Sequence, residues 1–416
     1  MQKFKKSLEL PVHGQVTYLF TTPLGNETPA KFKFTNKNSG KIKIEISNKS
    51  FSLSIQTEKT KPIIKINSKT GLISAKNVFY WVSLDSQHQV IKFGIGEARP
   101  ETVKFAYNLL LDLPNLEQIQ NTMSIDILSK NNKEKSIEQP ETYKKFFESL
   151  TTIKNISNIK PIKLLRDPIV NPVPLKIKRI DELTMSDIAE CKYLPNAFLT
   201  QTNQQLFNCI SGKNFVLDDD YFPDFSKAIQ HSIVTEGCWC YKKLQEKSTE
   251  FNPDKPNLYE TYLRITLGRN SGESPGIPYV MEIWPSNHYS PIHSHADSNA
   301  VIRVLHGSIH VKLYPFLNEG ANIEPFVETD FDKDDITWLS PELNQIHQLR
   351  NNTGDVCITI QCYMYSLDNE KHYDYFDYLD DNKNIVQYEP DSDMDFVVFK
   401  ELMRSEWNNK ENKIYQ

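Results

Sequence analysis

Short runs of strictly alternating apolar and polar residues recur along this chain, and they confine much of it to strands. Lys41-Ile-Lys-Ile-Glu-Ile46, Phe51-Ser-Leu-Ser-Ile55 and Ile63-Ile-Lys-Ile-Asn67 place every second side chain on one face. That is the period of a half-buried strand. Turn-forming clusters separate the runs, at Asn38-Ser-Gly40, Lys69-Thr-Gly71 and Asp85-Ser86. The pattern predicts an antiparallel β-sandwich over residues 1–112. Its central hairpin is expected at Phe79-Tyr-Trp-Val-Ser-Leu-Asp85 and Val90-Ile-Lys-Phe-Gly94-Ile-Gly96-Glu97.

The following segment, 113–179, changes character. A short helix is expected near Lys144 to Leu150, and Pro161, Pro168, Pro172 and Pro174 predict a stiff connector. The basic stretch from Lys160 to Arg179 reads as a solvated part of that linker. A third segment, 180–416, opens on the capping-type residues of Ile180-Asp-Glu-Leu-Thr-Met-Ser-Asp187 and reads as mostly helical to about residue 250. Strands return from Tyr259 onward, at Tyr262-Leu-Arg264-Ile-Thr-Leu, Tyr279-Val-Met-Glu-Ile-Trp284, Val301-Ile-Arg-Val-Leu, Gly307-Ser-Ile-His-Val-Lys-Leu-Tyr314 and Val356 to Tyr365. These predict a small barrel or jelly roll with a helical N-terminal extension, in a chain that is mainly β overall.

At 416 residues, with 39% hydrophobic and 24% charged residues, the chain suits two globular domains. A net charge of -5 argues against a nucleic-acid binder, which carries a basic balance. No apolar run approaches a membrane span, and the first 20 residues lack a signal-peptide core. The six cysteines are all in the last 226 residues, without a disulfide-framework spacing. Reduced thiols in a cytoplasmic protein are expected.

The chemistry concentrates in His288-Tyr-Ser-Pro-Ile-His293-Ser-His295-Ala-Asp297 and, 52 positions after His295, in Gln345-Ile-His347-Gln. On an extended strand His293, His295 and Asp297 share a face. Three neutral imidazoles converging on one point favour iron, zinc or copper over magnesium or calcium. Asp297 is expected either to orient an imidazole or to act as a ligand in a two-His-one-carboxylate set. Arg264, on an earlier strand, is a candidate fork for a carboxylate. Tyr365, on a later one, is a candidate hydroxyl beside the metal. His288, His306 and His310 read as ordinary polar positions.

Taken together these motifs resemble the cysteine dioxygenase family of thiol dioxygenases, within the cupin superfamily, over residues 180–400. Tyr262-Leu-Arg264 is similar to that family's Tyr-x-Arg substrate clamp. His288 to Ser298 looks like its first iron segment, and Val304-Leu-His-Gly307 like the glycine that closes the motif. Ile346 to Asn351, leading to Tyr365-Ser366, looks like the third ligand and the active-site tyrosine. The resemblance implies a cupin jelly roll holding Fe(II) on His293, His295 and His347. It implies Arg264 and Tyr365 as catalytic groups, with Tyr262, Arg264 and Tyr365 around the substrate. It implies oxidation of a small thiol by O2 to a sulfinic acid, with L-cysteine the leading substrate. Another mercapto-acid such as 3-mercaptopropionate, or a non-catalytic metal-binding sensor or scaffold, stays open.

This sequence departs from the family in three ways. Asn299-Ala300 stands where most cupins carry a ligating Glu, which suits a three-His site. Ala300 also stands where animal members have a Cys that cross-links to the tyrosine. Gln361-Cys-Tyr363 replaces a Ser-x-His relay. Separately, residues 30–110 resemble the β-domain named after farnesoic acid O-methyltransferase, which implies a module recognising a protein or ligand. No methyl-donor site accompanies it, since Gly94-Ile-Gly96 is a lone Gly pair without a βαβ unit.

Overall fold

Alternation becomes strand pairing in the computed structural model of the chain. It describes residues 7–22, 29–48, 50–57, 64–73, 78–109, 113–114, 125–126, 140–155, 159–267, 279–319, 323–366 and 375–414. Two units divide it, residues 1–172 and 173–416.

The first unit contains β1 (Ser7–Glu9), β2 (Gln15–Thr21), β3 (Ala30–Thr35), β4 (Lys41–Ile46), β5 (Phe51–Gln56), β6 (Ile64–Ser68), β7 (Phe79–Asp85), β8 (Val90–Ile95), β9 (Val103–Asn108), β10 (Leu113–Pro114), β11 (Ile125–Asp126), α1 (Pro140–Glu148), β12 (Thr152–Asn155) and β13 (Lys160–Leu165). One sheet runs β1-β12-β3-β4-β5-β6-β11 and the other β10-β9-β8-β7-β2-β13, all antiparallel. Aromatic rings bridge the two sheets. Phe20 meets Phe32 at 4.8 Å, and Phe51 meets Phe105 at 4.3 Å. Such pairs add about 0.5–1.5 kcal/mol beyond the area they bury. In β3, β4 and β5 only every second residue is fully buried, which is the expected wet outer face.

The expected hairpin, β7 and β8, lies at the centre of its sheet, but it is buried on both faces. Trp81 packs with Val103, Ala106, Leu19, Ala98 and Ile169, so chain beyond β13 covers that outer face. The Gly-x-Gly-Glu run serves this packing. A Cβ on Gly94 would sit 2.0 Å from the Trp81 indole, Gly96 takes φ +91°, and the Glu97 carbonyl accepts the indole N–H at 2.9 Å.

The sandwich also extends further than the expected boundary at residue 112. Residues assigned to a linker supply β12, which inserts between β1 and β3, and β13, which pairs with β2. Pro161 is accommodated because β13 is an edge strand, with a register shift between Pro161 and Lys163. Most residues between 110 and 139 lie outside the described ones.

The second unit contains β14 (Lys176–Lys178), α2 (Met185–Ala189), β15 (Tyr193–Pro195), α3 (Gln201–Ile210), α4 (Phe225–Val234), α5 (Trp239–Glu246), β16 (Leu263–Thr266), β17 (Tyr279–Trp284), β18 (Asn299–His306), β19 (Ser308–Leu313), β20 (Val327–Asp332), β21 (Ile336–Leu339), β22 (His347–Arg350), β23 (Cys357–Met364), β24 (Phe376–Leu379), β25 (Ile385–Tyr388), β26 (Met394–Asp395) and α6 (Phe396–Ile414). A large sheet runs β15-β14-β21-β18-β23-β17-β16-β26, and a small one β20-β19-β22. Isolated bridges carry the small sheet on from β22 through residues 289–293 to β24. The expected jelly roll takes the form of two facing sheets rather than a closed barrel. Trp284, Val304 and Cys357 from the large sheet share a core with Ile309, Val311, Leu349 and Tyr378 from the small one. The expected helices α3, α4 and α5, together with α6, which the sequence reading does not foresee, pack against the large sheet's other face. Phe207, Ile229, Leu244 and Phe399 there meet Ile265, Ile283, Val301 and Ile360. Among the described residues no helix is long and apolar enough to cross a membrane.

Gly94→Ala should destabilise the first unit by about 1–3 kcal/mol, because a fully buried Trp81 cannot move aside. Urea unfolding followed by tryptophan fluorescence checks this.

Candidate metal centre

The site begins with two backbone hydrogen bonds. His293 N–H donates to the His347 carbonyl at 3.0 Å, and His347 N–H returns the bond to His293 at 3.1 Å. Residues opposed in this way across antiparallel strands project side chains to the same face. His295, two residues on, joins them. The ring centroids lie 4.8 Å (293–295), 4.7 Å (293–347) and 4.4 Å (295–347) apart. One nitrogen from each imidazole lies within 4.8 Å of the others.

The expected alternation stops at His295. Ala296 and Asp297 take φ of +49° and +60°, which turns the chain and leaves Asp297 exposed. Asp297 is neither part of the cluster nor the group that orients an imidazole. Backbone carbonyls do that work. His293 Nδ1 lies 3.0 Å from the Pro291 carbonyl, and His295 Nδ1 lies 2.9 Å from that of Gln345. A carbonyl only accepts, so each Nδ1 carries the proton and each Nε2 keeps its lone pair free. Gln345 is itself held, donating from Nε2 to the carbonyls of Ser298 and Ser340 at 2.9 and 2.6 Å.

Burial keeps the three imidazoles neutral. It lowers His293 to about 4 and takes His295 and His347 well below their ordinary value, with the neighbouring imidazoles adding to the effect in the last two. Neutral imidazole is the metal-binding form. The donor set therefore fits one transition-metal ion, and among the described residues no carboxylate joins the cluster.

A small cavity opens beside His293 and His347, lined also by Tyr262, Arg264, Glu282, Trp284, Leu349, Gln361, Tyr363 and Phe376. Adjacent strands of the large sheet supply its polar wall. Arg264 on β16 lies directly opposite Glu282 on β17, and Gln361 follows on β23. Arg264 Nη1 donates to Glu282 Oε1 at 2.6 Å, with both side chains buried. Gln361 Nε2 donates to Glu282 Oε2, and the Tyr363 hydroxyl donates to Gln361 Oε1. Burial pushes the Glu282 carboxyl up to about 7, with the charge of Arg264 pulling it back down. Arg264 Nε and Nη2 are buried without a hydrogen-bond partner. Tyr262 stacks on Trp284 at 4.3 Å and forms the flat side of the chamber.

The structure thus brings His293, His295, His347, Arg264 and Tyr262 together. Tyr365 is not in the cavity wall. β23 ends at Met364, and the chain beyond it is tied by Asn299 Nδ2 to Ser366 Oγ at 2.9 Å. The cavity hydroxyl belongs instead to Tyr363, which faces Ala300 across the strand pair. Glu282 and Phe376 were not foreseen. A carboxylate inside the apolar run Tyr279 to Trp284 is the signal that could have pointed to Glu282. His288 is buried against Thr261, and His310 pairs with Asp330 and Glu328, so both are structural.

No protein-family model and no curated protein matches the chain. Among solved structures it is similar in part to the cupin domain of Cnp3 from Schizosaccharomyces pombe, at 9% identity over 25% of this chain and 65% of that one, with a TM-score of 0.19. It is similar to an oxalate oxidase in complex with the substrate analogue glycolate, at 14% identity over 27% and 53%, TM-score 0.20. It is also similar to a cupin domain of an XRE family transcriptional regulator from Enterobacter cloacae, at 11% identity over 26% and 96%, TM-score 0.19. The chain spans less than two thirds of the length of the first two. Overlaps this partial carry no weight beside the strand order and contacts given above.

Metal-free protein should lose stability as pH falls from about 6.5 toward 4. In that window the unfolded histidines take up protons that the buried ones refuse, at about 1.4 kcal/mol per pH unit for each. Urea unfolding at pH 8, 6 and 5 checks the slope, and His347→Leu should flatten it. Arg264→Ala should cost about 3–5 kcal/mol, since it strands Glu282 as a buried charge. Adding Glu282→Gln to that variant should recover part of the loss in the same assay.

Proposed function

We propose that this protein is a mononuclear, metal-dependent thiol dioxygenase of the cupin type. It converts a small thiol and O2 into the sulfinic acid, RSH + O2 → RSO2H, with both oxygen atoms retained. The observation that carries this reading is that the three-His cluster and the unpartnered Nε/Nη2 edge of Arg264 meet at one buried cavity. Iron(II) held by His293, His295 and His347 would supply the redox chemistry, with positions left for thiolate and O2 because no carboxylate occupies them. The chain's own residues supply position. The open edge of Arg264 receives the substrate carboxylate as a two-bond fork, which makes L-cysteine the leading substrate and keeps 3-mercaptopropionate as the alternative. Tyr262, Trp284 and Phe376 close the chamber to water, and Tyr363 takes the place foreseen for Tyr365.

All six cysteines are free, which supports a reducing, cytoplasmic setting. The N-terminal sandwich carries none of the site residues, and we assign it a role in recognising a protein or ligand partner.

Protein loaded with Fe(II) should contain one iron per chain and consume O2 when given cysteine. His347→Ala should lose most of the iron and all thiol-dependent uptake. Full iron content in that variant, or no uptake by the loaded wild type across a panel of thiols, would overturn the assignment.

A further inference from the structure

One departure from the thiol dioxygenase pattern, Gln361 with Tyr363, lies beside Glu282. Its carboxylate is engaged on both oxygens, by Arg264 Nη1 at 2.6 Å and by Gln361 Nε2. Gln361 is held in turn by the Tyr363 hydroxyl. A carboxylate only accepts, so Gln361 must present its NH2 to Glu282 and its carbonyl to Tyr363. The row Arg264, Glu282, Gln361, Tyr363 is therefore fixed in direction, and it is buried throughout.

We propose that Glu282 is a positioning residue. It holds Arg264 by Nη1 so that the Nε/Nη2 edge, and no other, is offered to an acidic substrate; this rests on the thiol dioxygenase reading above.

A guanidinium can fork a carboxylate through its end or through its side. Nη1, which the end fork needs, is held by Glu282, so the side is the edge with both nitrogens open, and both are buried without partners. The same chain shows that one buried arginine can serve two carboxylates. Arg99 meets Glu97 through Nη1 and Glu101 through Nε. Arg264 has the first of these partners and lacks the second. The substrate would bring it. Gln361 braces Glu282 from behind, so these two residues act on the carboxylate end of the substrate and leave the thiol end alone. An acidic thiol therefore depends on Glu282, and a thiol without a carboxylate does not.

The test uses full-length protein at pH 8 with cobalt(II) in place of iron. Cysteine, 3-mercaptopropionate and cysteamine are each titrated in, and the thiolate-to-cobalt absorption band is followed. Glu282→Ala should weaken both acidic thiols by about tenfold or more, the scale of a hydrogen bond to a charged group, and leave cysteamine within about twofold. Glu282→Gln keeps one oxygen for Nη1 and should recover part of the loss. In the iron-loaded enzyme the change should fall on KM for cysteine more than on kcat. A variant that weakens all three thiols equally, or none, overturns the positioning role, and Glu282→Gln decides the matter if the alanine variant does not fold. Failure of any thiol to perturb the cobalt spectrum of the wild type overturns the proposed function together with this inference.

Discussion

The reciprocal hydrogen bonds between His293 and His347 are the constraint on which the rest of the second unit depends. They join residue 293, in a stretch of loop and isolated bridges, to the first residue of β22. They thereby extend the small sheet toward β24. Backbone bonds of this kind contribute about 0.5–1.5 kcal/mol each, but their larger effect is geometric. They help to set three rings edge-on or tilted to one another, with centroids 4.4 to 4.8 Å apart. Three buried imidazoles without an ion are a cost, since their depressed basicity means that the folded chain forgoes protons the unfolded chain would take up. A bound ion would offset that cost, which would couple folding to metal uptake.

The polar row on the large sheet has the same character. A buried arginine and carboxylate are expensive to desolvate, and replacing such pairs with apolar residues is often neutral or stabilising. A core built only for stability would have no reason to keep Arg264 and Glu282 in the middle of β16 and β17. Their retention next to three imidazoles is what ties the wall of the cavity to chemistry. Pairing within the row keeps Glu282 and Gln361 from being stranded, while Nε and Nη2 of Arg264 stay without a partner.

The first unit solves a different problem with similar means. Its core is a stack of aromatic rings between two sheets, and one of its buried charges, Arg99, is closed by two glutamates of its own segment. The glycine pair that might suggest a nucleotide or methyl-donor loop is occupied by the Trp81 indole. The motif marks a close approach between strands.

Much of this was decided by the sequence alone. Period-2 alternation marks most of the strands in both units, and the His-x-His pair with a later His marks the metal cluster, because ligand chemistry restricts which residues can serve. Arg264 was legible as a candidate carboxylate fork, and Tyr262 only through the resemblance of Tyr262-Leu-Arg264 to a substrate clamp. Other features were settled only by tertiary structure. β12 and β13 find partners more than a hundred residues away, and a short or proline-containing run carries no sign of such pairing. Asp297 leaves the ligand face because two residues adopt left-handed backbone angles, which neither alanine nor aspartate announces. Tyr363 rather than Tyr365 enters the cavity because β23 stops at Met364, and where a strand stops depends on its neighbours. Glu282 becomes the centre of the polar wall because register sets it opposite Arg264 on β16 and diagonal to Gln361 on β23, 79 residues further along the chain. Local patterns record what a residue can do, whereas long-range register decides what it meets.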